Sequence, residues 1–143
     1  MNNKNVHQRF IDQILNLTLP DQKYNLIDIG ANTGLLTRSL LNNFNNIENC
    51  FLVEPDKDNL FCLKNNLKDF KNINIYDFAL DINDGEKKLF MDKNNKGNLS
   101  FNYEMMKRKE DKLNFMNSKN DYKIVNCKSV NNYFIKIKND LKN

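Results

Sequence analysis

The stretch Tyr24–Ile29 is a short apolar run that breaks at Gly30 into the loop Ala31, Asn32, Thr33, Gly34, after which Leu35, Leu36, Leu40, Leu41 and Phe44 recur at helical spacing. A run this short, bounded by glycine, reads as a buried parallel strand. A buried strand that feeds straight into a helix narrows the chain to α/β architectures, because the helix must cross back over the sheet before the next parallel strand can start.

The same alternation continues. Phe51, Leu52 and Val53 form a second strand stopped by Pro55, and Leu60, Leu63, Leu67 and Phe70 set a second helix that Asp56 is placed to cap. Ile73, Ile75 and the segment to Ala79 give a third strand. Upstream, Val6, Phe10, Ile14 and Leu17 predict a helix over about residues 5–18, closed by Pro20 and packed on the core as a lid or prop. This order predicts a right-handed, doubly wound, mostly parallel sheet of Rossmann-like type. Further on, residues 122–127 alternate as a strand that residues 86–91 can pair with at the sheet edge, and residues 131–143 are helix-prone. Residues 103–121 read as an exposed insertion, with a lid as the other possibility. At 143 residues and 40% hydrophobic content the chain supports one core. We therefore expect a single domain, with residues 1–20 an N-terminal helix and 23–134 the binding core.

Composition removes several classes. The net charge of +4 is scattered apart from Lys107, Arg108, Lys109 and the terminal lysines, whereas a nucleic-acid footprint clusters. The only prolines are Pro20 and Pro55, so neither an (N/D)PP(Y/F) segment nor a Pro-Cys pair exists. Cys50, Cys62 and Cys127 are widely spaced and form no CxxC, which argues for reduced thiols and no metal site. No apolar run approaches the roughly 20 residues of a membrane span, and the polar N-terminus lacks the pattern of a secretory signal. A cytoplasmic location is expected. Asparagine is abundant throughout and reads as compositional bias.

In parallel sheets, ligands sit beyond the carboxyl ends of the strands. The residues there are Asp28, Gly30, Ala31, Asn32 and Gly34 after strand one, Glu54 after strand two, and Asp77, Phe78 and Ala79 after strand three. Two glycines alone fit a plain strand-to-helix turn equally well. A dinucleotide fingerprint, GxGxxG, would carry glycine where this chain has Asn32, and Asp28 would repel a pyrophosphate while attracting an ammonium group. That charge pattern favours S-adenosylmethionine over NAD. Glu54 lies about twenty residues beyond Gly34, the spacing of an acid that accepts both ribose hydroxyls. Asp77 could accept from an adenine amino group and the Phe78 amide donate to a ring nitrogen, although Phe78 fits a plain core role as well.

The segments Ile27 to Gly34, Val53 to Pro55, Phe78 to Leu80 with Asp84 and Gly85, and Gly97 to Ser100 resemble, in that order, the FkbM-type methyltransferases. The resemblance runs from about residue 25 to residue 134. It implies a class I methyltransferase fold, S-adenosylmethionine as cofactor, and methyl transfer to oxygen, commonly a hydroxyl of a sugar or small metabolite. Cofactor-binding roles would fall on Asp28, Gly30, Asn32, Gly34, Glu54, Asp77 and Ala79, with Ala31 in the same loop, and more weakly on Ser100. In that family a segment like Cys127 to Phe134 precedes a fourth core strand ending in DxEG. The chain stops at Asn143 without it, so the sheet is expected to be incomplete at the C-terminal side.

No base for a hydroxyl acceptor stands out. His7 precedes the loop and reads as a surface or packing residue, and Asp92, Glu104 and Asp111 read as solvated acids. Two further readings stay open: a non-catalytic remnant or cofactor-binding half that needs a second chain or self-association, and an NAD-dependent oxidoreductase half, which Asp28 and Asn32 count against.

Overall fold

The computed structural model describes residues 6–19, 21–91, 99–101 and 122–141. Its contacts divide the chain into two compact units, Met1–Asp77 and Phe78–Asn143.

The first unit is built from α1 (Val6–Leu17), β1 (Tyr24–Ile29), α2 (Leu35–Asn43), β2 (Ile47–Val53), α3 (Lys57–Leu67) and β3 (Ile73–Tyr76). Its three strands form a parallel sheet in the order β1-β2-β3, with Leu26 opposite Cys50 and Asp28 opposite Leu52. The expected strand–helix alternation is thus present, in an α/β arrangement. The apolar spacing of α3 works as expected, for Leu60, Leu63 and Leu67 are all buried, and they join Ala31, Cys50 and Leu52 in one cluster. Full burial of a leucine such as Leu63 contributes about 1.5–3 kcal/mol. Asp56 caps α3, accepting from the Asp58 and Asn59 amides at 3.0 and 3.1 Å. Helix α1 props this layer through Ile11, which is buried with Leu40 and Phe44 of the α2 region.

Two features depart from expectation. The first is the layering: α1, α2 and α3 cluster with Leu26, Ile47 and the other side chains of one sheet face. Successive right-handed crossovers that step in one direction put every helix on the same face, and the second face is reached only where the strand order reverses. No reversal occurs in β1-β2-β3. The second is the third strand, which was expected to run on to Ala79 but ends at Tyr76. Its partner runs out there: β2 ends at Val53, the Glu54 amide makes the last bond to the Tyr76 carbonyl, and the next amide on that side, of Asp56, donates to Glu54 Oε1 instead.

The second unit holds β4 (Ala79–Asp81), β5 (Gly85–Met91), β6 (Leu99–Ser100), β7 (Tyr122–Ser129) and α4 (Val130–Asp140). Its sheet has the order β4-β7-β5-β6; β4 runs parallel to β7, and β5 is antiparallel to both β7 and β6. The pairing expected between residues 86–91 and 122–127 is therefore present. Ala79, Leu89, Val125 and Cys127 form its buried cluster. Among the described residues no helix is long and apolar enough to cross a membrane. The cysteines are free, Cys50 and Cys127 buried and Cys62 exposed, and burial together with the nearby Asp28 charge pushes the Cys50 thiol up to about 11. Residues 102–121, including the expected insertion with Glu104 and Asp111, lie outside the described residues, as does Asp92.

Asp84 ties the turn before β5 to the start of α4. Its carboxylate accepts from the Ser129 amide at 2.6 Å, with the Lys128 ammonium 3.6 Å away, and Ser129 is the N-cap of α4 with no side-chain cap bond of its own. The amide bond, then the lysine charge, hold the Asp84 carboxyl below the usual carboxylate range. A depressed folded-state pKa means a stabilising contribution that is full above the ordinary value, about 3.9, and lost as pH falls through the lower folded value. Asp84→Ala is therefore expected to lower the thermal midpoint at neutral pH, with the gap to the wild type closing in acid. A gap that stays constant down to about pH 2, below the ordinary carboxylate range, would refute this role.

Candidate functional site

The loop between β1 and α2 takes its shape from three left-handed backbone positions. Gly30 and Gly34 both have φ of 78°, and Asn32 has φ of 52°. Asparagine is one of the few side chains that tolerate this region, and here it also stabilises it locally, because its Oδ1 accepts from the Thr33 amide at 2.7 Å. The Gly30 and Ala31 amides both donate to the Val53 carbonyl, at 2.9 and 3.0 Å, which ties the loop to the end of β2.

The glycines serve different ends. A Cβ on Gly34 would stand 2.5 Å from Leu63 Cδ1, so this glycine lets α2 pack against α3. A Cβ on Gly30 would meet nothing within 4 Å, and Gly30 is exposed, so open space lies over the loop there.

Glu54 binds this loop from the neighbouring strand end. It is only 2% exposed. Its Oε2 accepts from the Asn32 amide at 2.8 Å, while Oε1 accepts from the Asp56 amide at 2.9 Å and the Asn59 side-chain amide at 3.4 Å. A carboxylate offers about four acceptor positions, so these three leave one, and the Asn59 contact is the weakest of them.

Asp28 is half-buried at the end of β1. Its Oδ2 accepts from the Thr37 hydroxyl at 2.5 Å, and Thr37 belongs to the first turn of α2, where the helix dipole favours a negative charge. Among the described residues neither Asp28 nor Glu54 has an ion-pair partner. Two carboxylates without a cation, beside an open glycine turn, suit a ligand that brings a cation and hydroxyls and repel one that brings phosphates.

The first unit thus brings together Asp28, Gly30, Ala31, Asn32, Gly34 and Glu54. Asp77 is exposed just past the end of β3, next to Tyr76, whose carbonyl accepts from the Glu54 amide at 3.0 Å. Phe78 and Ala79 belong to the second unit: the Phe78 ring meets Tyr133 edge-on at 5.8 Å, and Ala79 is buried in the cluster with Leu89, Val125 and Cys127. Ser100 pairs through its backbone with Phe90. Among the described residues no group of histidine, cysteine or acidic side chains is placed to hold a metal ion.

Three residues of the site escaped the sequence. Thr37 and Asn59 hold the two acids, and Asn66 donates to the Thr33 carbonyl at 2.8 Å. Against a background so rich in asparagine, no signal singles out Asn59 or Asn66. No family model, no curated protein and no solved structure matches the chain.

Gly34→Ala should cost about 2–4 kcal/mol of stability, from a left-handed alanine plus overpacking on Leu63, and Gly30→Ala only about 1–2. Denaturant unfolding of the two variants measures the difference. Equal losses would mean that the close approach at Gly34 does not govern the packing of α2 on α3.

Proposed function

We propose that the β1–α2 loop binds S-adenosylmethionine and that the chain is the cofactor-binding part of a class I, FkbM-like methyltransferase with a Rossmann-like core. The observation that carries this reading is a pair of carboxylates with no ion-pair partner among the described residues, Glu54 bonded to the glycine turn and Asp28 just before it, with the turn open at Gly30. Asp28 would hold the ammonium group of the methionine moiety through Oδ1. Glu54 would accept from the ribose hydroxyls, using its remaining acceptor position and the one that the Asn59 contact occupies at 3.4 Å. Gly30, Ala31, Asn32 and Gly34 would shape the wall, and Asp77 would border the base.

The cofactor supplies a sulfonium methyl that needs only an aligned nucleophile. The protein's part would be to orient the ligand and exclude water, toward a hydroxyl of a sugar or small metabolite. A nicotinamide dinucleotide fits less well, because its pyrophosphate would meet the Asp28 charge and the side chain of Asn32.

A second reading has its own support. Among the described residues β1 pairs with β2 alone, and Ile27 and Ile29 on one face of β1 are 38% and 55% exposed. The chain would then be a cofactor-binding half whose sheet is extended by a second copy or another polypeptide. Binding would survive in the isolated chain and methyl transfer would not.

Calorimetric titration tests the cofactor assignment common to both readings and separates it from a dinucleotide site. Wild type is expected to bind S-adenosylmethionine and S-adenosylhomocysteine but not NAD, and Asp28→Asn to weaken S-adenosylmethionine by about 1.5–3 kcal/mol, the range for a hydrogen bond to a charged group. Adenosine, which lacks the ammonium, should be unaffected by Asp28→Asn and weakened by Glu54→Gln. Unchanged S-adenosylmethionine affinity in a folded Asp28 variant would remove Asp28 from the site.

A further inference from the structure

Thr37 is 0% exposed, so its hydroxyl must find a partner inside the protein. A threonine on a helix commonly returns its hydroxyl to the carbonyl four residues back. Here that carbonyl, of Thr33, accepts from the Asn66 side chain at 2.8 Å, and the Thr37 hydroxyl donates instead to Asp28 Oδ2 at 2.5 Å. Among the described residues the Asp28 carboxylate receives no other hydrogen bond, so Oδ1 keeps its acceptor capacity.

The terminal torsion of an aspartate is broad and nearly two-fold, and an unanchored carboxylate turns easily. A β-branched side chain on a packed helix is stiff at χ1, and α2 is fixed by the burial of Leu40. The contact therefore transfers the rigidity of α2 to the orientation of the carboxylate.

We propose that Thr37 is a positioning residue of the ammonium subsite, its buried hydroxyl locking one oxygen of Asp28 so that the other is presented to a cationic amino group. This rests on the S-adenosylmethionine reading above. The ligand class it selects is an amino-acid-bearing nucleoside rather than a nucleoside alone, because Thr37 acts only through the acid that meets the ammonium.

The test is a set of equilibrium titrations of the full chain with S-adenosylmethionine and with adenosine. Thr37→Val, nearly isosteric but without the hydroxyl, should raise the Kd for S-adenosylmethionine by about 10-fold, as expected for a hydrogen bond to a charged group, and leave adenosine within about 2-fold. Thr37→Ser should restore most of the affinity. In an Asp28→Asn background, Thr37→Val should add no further loss. If the valine variant does not fold, Thr37→Cys keeps the volume with a much weaker donor and serves the same comparison.

Equal losses for both ligands, or a loss that persists in the Asp28→Asn background, would make Thr37 a structural residue and overturn the inference. Unchanged S-adenosylmethionine affinity in a folded Thr37→Val would overturn it alone, with the proposed function intact. A wild-type chain that binds neither ligand would overturn both.

Discussion

The site depends on a buried carboxylate that holds a loop. Glu54 is removed from water at the end of β2, and a charge in that position is tolerable only if its oxygens are occupied. They are filled by the amides of Asn32 and Asp56 and by Asn59, so one side chain fixes the β1–α2 loop, the chain leaving β2 and the start of α3. Asp56 then caps α3, whose leucines fill the core beneath. Loop, cap and core are therefore coupled: a change at Glu54 reaches the stability of the first unit as well as any ligand. This coupling is why adenosine binding alone is an ambiguous readout for Glu54, and why Asp28, held by one bond from Thr37, is the cleaner probe of recognition.

Much of the first unit was legible in the sequence because each element announces itself by a period. Leu60, Leu63 and Leu67 mark the buried stripe of α3, Asp56 its cap, and Gly30 and Gly34 the turn that the backbone angles require. Asn32 was legible as a departure from a dinucleotide fingerprint, and its left-handed backbone explains how asparagine fills a position where glycine is usual. The end of the third strand was not legible. Nothing in Tyr76, Asp77, Phe78 and Ala79 marks a break, since the cause lies past the end of the neighbouring strand, where the Asp56 amide turns to Glu54 Oε1 and does not donate the next ladder bond. Thr37 was hidden for a related reason, for a buried hydroxyl within a helix is identified by its partner across space and not by its spacing.

Strand order sets what the first unit can offer a ligand. With β1-β2-β3 stepping one way, all three helices cover one face, and the carboxyl ends of β1 and β2 carry the two acids, Asp28 opposite Leu52 and Glu54 just beyond Val53. The acids come from the ends of adjacent parallel strands, Glu54 bonding the loop and Asp28 the first turn of α2. A helical or antiparallel scaffold would not align two strand ends in this way, which is the physical reason an α/β core suits the chemistry proposed here.

The most direct test is an amide-resolved NMR titration of the chain with S-adenosylmethionine. Binding at the loop predicts saturable shifts at Gly30, Ala31, Asn32, Thr33 and Gly34 and at Glu54, with little change along α1. Saturable shifts confined to residues away from this loop, or no shifts at all at ligand excess, would contradict the assignment of the β1–α2 turn as the cofactor site.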